Sequence, residues 1–130
     1  MKIAAIIAGV LLGLLFIMSA VTFLFKLVNI PELPEGTPMA SFMAAFVPTG
    51  YMTFVKVIEL LGGIFVAIPR TRNLGLLCLG PILVNIFVFH QLVAGDGVLQ
   101  PMLLGIAALA LFLLWVERKA WLSLVWPLKS

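Results

Sequence analysis

Lys56 and Glu59 interrupt the apolar stretch from Tyr51 to Ile68 and stand three residues apart. On a helix that spacing brings both side chains to one face, so an ammonium and a carboxylate meet where hydrocarbon would otherwise be expected. Such a pair can neutralise itself, present a cation to the headgroup of an amphiphile, or take part in proton transfer. Asn85 and His90 are the strongly polar residues of a second apolar stretch, Leu74 to Val93, and Lys26 closes a third. With one His and one Cys in the chain, an internal disulfide, a cysteine zinc site and bis-histidine haem ligation within one copy are excluded. No metal site and no catalytic residue are assigned, and Cys78 reads as a small packing residue.

The elements that must position these groups follow from composition. Of 130 residues, 64% are apolar and only 10% charged, more apolar surface than a soluble domain of this length can bury. The sequence predicts an all-α membrane protein, a single antiparallel bundle of four transmembrane helices. The spans are expected at about 3–28, 51–68, 74–93 and 99–118, the last continuing through Glu117, Arg118 and Lys119. The remaining length leaves no room for a catalytic domain outside the membrane. A cleaved leader ending near Met18-Ser19-Ala20 is the competing reading of the first stretch, but the apolar run continues past Ala20. The net charge of +3 is read as loop charge, with no nucleic-acid partner.

Charges alternate along the connections: Lys2 first, then Glu32 and Glu35, Arg70 and Arg72, Asp96, and finally Arg118, Lys119 and Lys129. The positive-inside rule therefore places both termini in the cytoplasm of a multi-pass cell-membrane protein, expected in a bacterial inner membrane. In the first outer loop Thr37 suits an N-cap and Pro38 a first helical position. Met39, Phe42, Met43 and Phe46 follow at helical spacing, so an amphipathic helix over 38–47 is expected, either an interfacial anchor or a lid. Trp115, Trp121 and Trp126 read as interface anchors. Gly9, Gly13, Gly62 and Gly63 read as helix-packing positions, within the bundle or between subunits, and Gly80-Pro81 is expected to bend the third span.

At 1.5 Å per residue Glu59 and Asn85 lie at matching depth, each about 12 Å beneath the outer boundary, with Lys26, Lys56 and His90 shallower. The five residues are expected to converge on an outward-facing polar pocket beside Phe54, Phe87 and Phe89. The inner half is almost wholly apolar, which argues against a continuous pore. The cluster either fixes packing alone or binds a lipid, a quinone-like amphiphile or a membrane partner. A membrane subunit of a quinone-linked oxidoreductase complex is the alternative, and a small multidrug-type transporter the third reading. The bilayer is the expected association, with another membrane protein or a homo-oligomer as further options; no cofactor is assigned, quinone being the one considered.

The order of these motifs resembles the DoxX family of small four-helix membrane proteins. The resemblance rests on Lys26 closing the first helix, on Lys56, Glu59, Gly62 and Gly63 at their spacing, on the Arg70 turn, and on Asn85 followed by Phe89-His90. The Pro-, Glu- and Gly-containing first loop and Phe42-Met43-Ala44 extend it over nearly the whole chain. It implies a four-helix transmembrane bundle. Some relatives are linked to quinone reduction during thiosulfate oxidation or to membrane-associated oxidoreductase complexes. Many members carry an Arg early in the first helix, where this chain has Ala8, Gly9 and Val10.

Overall fold

A computed structural model of the chain describes residues 2–27 and 33–125. The described residues form six α-helices and no strand: α1 (Lys2–Leu24), α2 (Pro38–Phe46), α3 (Tyr51–Ala67), α4 (Arg72–Val88), α5 (Pro101–Val116) and α6 (Arg118–Val125). A 3-10 turn, Pro69–Thr71, leads into α4, and a π-helical turn, Phe89–Ala94, continues it. Two helical runs, the 23 residues of α1 and the 26 of Pro69–Ala94, are long and apolar enough to cross a membrane. Two bent pairs, α2 with α3 at 83° and α5 with α6 at 76°, raise the number to four if each pair is one broken span.

The three-residue turn at Pro69–Thr71 folds α4 back onto α3, while α1 packs most extensively against α3 and also touches α5. Ala5, Ala8, Leu12, Phe16, Val66, Leu76, Leu79, Leu83, Ala110 and Leu113 fill the space between them. Glycines set how closely the helices approach. A Cβ at Gly13 would stand 2.5 Å from the carbonyl oxygen of Gly63, and one at Gly9 2.7 Å from that of Val66. A Cβ at Gly75 would collide with the Val66 backbone and one at Gly62 with the Leu79 side chain. Because the obstructing atoms are mostly backbone, the residues at Gly9, Gly13 and Gly75 must lack a side chain. Outside this core Ile3, Ile7, Leu14, Leu77, Val84 and Leu111 stand exposed, an apolar surface far larger than water tolerates on a small domain.

The ends of the helices depart from the expected boundaries. The first helix stops at Leu24, where the amide of Lys26 donates to the Phe23 carbonyl and that of Leu27 to the Thr22 carbonyl. With Lys26 at φ +52°, this is a Schellman cap built on a non-glycine residue. Residue 28, the expected end of the span, lies outside the described residues, as do Glu32, Trp126 and Lys129. The expected extension of the fourth span to 118 does not occur. Helix α5 ends at Val116 and the chain turns through 76° at Glu117. The Glu117 carboxylate is engaged by Arg72 and Asn73, and Arg118 folds back to donate to the Trp115 carbonyl at 2.9 Å. Helix α4 carries through Pro81, whose missing N–H frees the Leu77 carbonyl. The helix expected at 38–47 is α2. The hydroxyl of Thr37 accepts from the Ala40 amide at 3.2 Å, and Pro38 supplies the first helical φ.

Candidate functional site

Lys56 and Glu59 meet on α3. The ammonium of Lys56 lies 3.2 Å from Glu59 Oε2 and donates to Ser19 Oγ of α1 at 3.0 Å. The phenyl ring of Phe23 lies beside it, 5.9 Å from Nζ to the ring centroid. Burial divides the pair unevenly, with 4% of the Glu59 side chain exposed and 18% of the Lys56 side chain. The carboxylate is therefore the inner anchor and the ammonium the outer, accessible group. The ammonium also reaches Glu59 Oε1 at 3.5 Å, so its three N–H donors are directed at Ser19 and at both oxygens of the carboxylate, the last contact being the longest. Lys56 lies five residues from the start of α3, about 8 Å along the helix, near its N-terminal end and between α1 and α3.

The other three polar residues do not join them. Lys26 is exposed on the cap of α1. Asn85 is exposed on α4, and its side chain has no hydrogen-bond partner among the described residues. His90 lies in the π-helical turn, where the wider winding changes the angular position that an α-helix would give it. Its Nδ1 lies 2.8 Å from Asp96 Oδ1. An ionised carboxylate only accepts, so Nδ1 carries the proton and donates to it. Gln100 Nε2 donates to the Gly97 carbonyl at 3.0 Å, and the Gly97 amide returns to the His90 carbonyl at 3.2 Å. Gly95 and Gly97, both at positive φ, allow the chain to turn this tightly. Of the aromatic residues expected near the pocket, Phe54 points outward, 62% exposed. Phe89 stacks edge-on with Phe42 of α2 at 4.8 Å, and Phe46 of α2 lies 4.7 Å from Tyr51, so α2 is pinned over the start of α3 and the end of α4.

The hydrogen bond from His90 holds the Asp96 carboxyl below the ordinary aspartate range, against a smaller opposing effect of desolvation. A depressed folded-state value adds stability above the ordinary range, which is lost as pH falls through the folded value, below about pH 4. The amide of Gly97 is expected to lose hydrogen-exchange protection over that window, after correction for intrinsic rates, and Asp96→Asn is expected to abolish the pH dependence. Identical profiles for the two chains would show that the turn from His90 to Gly97 is not held by the carboxylate.

A second polar cluster was not legible in the sequence. Arg72, only 7% exposed, donates to Glu117 Oε1 at 3.0 Å, Asn73 donates to Glu117 Oε2 at 3.3 Å, and Trp121 Nε1–H donates to Asn73 Oδ1 at 3.0 Å. This network ties the start of α4 to the α5–α6 bend, at the end of α3 and α4 away from Lys56. Arg72 Nε is buried with no partner among the described residues. Arg72 and Glu117 are 45 residues apart and each sits where a loop charge is ordinary, so neither gave a signal. Among the described residues no group of His, Cys, Asp and Glu could hold a metal. No protein family, curated protein or solved structure matches the chain.

Proposed function

We propose that the chain is a non-enzymatic, DoxX-like integral membrane protein that holds the headgroup of a lipid or quinone-like amphiphile at Lys56. In this reading α1, α3, the Pro69–Ala94 run and α5 are four antiparallel spans, with both termini and the Arg70–Arg72 turn cytoplasmic and α2 on the outer face. The turn charges support that orientation. The observation that carries the reading is the ammonium of Lys56. A buried carboxylate and a serine fix it between α1 and α3, yet it is partly exposed and its contact with Glu59 Oε1, at 3.5 Å, is long enough to yield to another acceptor. A phosphate or carbonyl oxygen near the outer interface would take that place, with the acyl or isoprenoid chain against the apolar flanks of α1 and α3.

The test is native mass spectrometry of the purified chain released from membranes, beside a Lys56→Met/Glu59→Gln double variant. The double variant removes both charges together and so avoids an orphaned buried carboxylate. Native protein is expected to carry one amphiphile that the double variant loses. A native chain carrying none, or equal occupancy in both proteins, would sink the proposal.

A further inference from the structure

One face of α4 is largely open among the described residues, and its residues follow a pattern of their own. Leu74, Cys78, Pro81, Asn85 and Val88 recur at spacings of four, three, four and three, the alternation that keeps side chains on one narrow seam of a helix. Leu74 and Val88 are each 47% exposed, Pro81 and Asn85 are exposed, and Cys78, half-buried at the edge of the seam, stands partly against Gly62 of α3. Helix α5 touches α4 only lightly and leaves this seam open.

Asn85 determines what can cover it. In the 26-residue run Pro69–Ala94 it lies within about 6 Å of the midpoint, inside the hydrocarbon if that run crosses the membrane. There an amide facing lipid leaves two donors and a carbonyl without partners, and such groups are found turned toward protein. An amide is also self-complementary, because each copy can donate to and accept from the other across a two-fold axis parallel to the helix. Both helices then present Asn85 at the same depth. A single Asn on an otherwise apolar heptad seam is the arrangement that fixes register in parallel two-stranded pairs. Pro81 does not oppose the contact, since its absent N–H concerns only its own helix.

We infer that α4 is a homodimer interface, in which two copies pack in parallel along Leu74–Val88 with the Asn85 amides hydrogen-bonded to each other. The partner is a second copy of this chain, since a different helix would have to supply a matching amide at the same depth. Occupation of the Lys56 site plays no part in this pairing.

The experiment places single cysteines at Leu74 or Val88 in a Cys78→Ser background and oxidises native membranes with copper phenanthroline. Both are expected to yield a covalent dimer, whereas Met18→Cys, equally accessible on α1 at 63% exposure, is expected to remain monomeric. In lipid nanodiscs or mild detergent, Asn85→Leu is expected to raise the dimer dissociation constant about three- to thirty-fold, and Asn85→Gln, which keeps the amide, to retain most of the affinity. Since the exposed Asn85 side chain has no hydrogen-bond partner among the described residues, these variants should leave the monomer fold intact, which the helical circular dichroism checks. Absence of cross-linking at both seam positions, equal cross-linking at Met18, or a dissociation constant unmoved by Asn85→Leu would overturn the inference.

Discussion

Lys56→Met is expected to destabilise the folded bundle by about 3–5 kcal/mol, the range for removing one partner of a buried ion pair. The asymmetry of burial sets the direction. Methionine keeps the stem of Lys56 against α1, so little packing is lost, but Glu59, 3% exposed, loses its counter-charge at 3.2 Å. Glu59→Gln alone is expected to be milder, because the orphaned Lys56 keeps Ser19 and can extend toward the interface. The Lys56→Met/Glu59→Gln double variant is expected to recover most of the loss. Unfolding in mixed micelles at pH 7 measures all three. If the double variant is no more stable than Lys56→Met, the two charges do not act as a pair.

Gly75→Ala on α4 and Gly105→Ala on α5 are expected to move stability in opposite directions. A Cβ at Gly75 meets only backbone, the Val66 amide and Cα and the Gly62 carbonyl oxygen, and no rotamer change clears it. Helix α4 must move away from α3, loosening the contacts of Leu76 and Leu79, and the expected cost is about 1–3 kcal/mol or more. A Cβ at Gly105, an exposed position inside α5, meets nothing within 4 Å among the described residues. There alanine contributes only its better helix propensity, a gain of up to about 1 kcal/mol. Thermal or denaturant unfolding of both proteins in one detergent separates the outcomes. Equal effects would mean that the close approach of α3 and α4 at Gly75 is not rigid.

Much of the frame could be read before any coordinates. Long apolar runs can only be helices in a membrane-like setting, because every backbone amide and carbonyl must then be satisfied within its own segment. That physical constraint is local, so α1, α3, α4 and α5 were legible from composition and periodicity. Thr37 and Pro38 marked the start of α2 by capping chemistry, which is also local. Lys56 and Glu59 were legible as a pair because three residues along one helix fix their distance.

What was not legible required knowing how the helices rotate and where they end. Depth arithmetic places Asn85 level with Glu59, but depth says nothing of azimuth, and α4 turns Asn85 to the outside. His90 moved with the winding of the π-helical turn, a departure of backbone geometry that residue types do not announce. Lys26 serves the α1 cap in a left-handed conformation that glycine usually takes. The α5–α6 bend and the partners of Arg72 depend on side chains 44 to 48 residues apart in sequence, which only the packed helices bring within hydrogen-bond reach. The sequence by itself determined the helices and the pairing of Lys56 with Glu59, because both follow from interactions over a few residues. Only the tertiary structure decided which polar groups meet, because that depends on helix rotation and close approach, set by the glycines that let α1, α3 and α4 touch backbone to backbone.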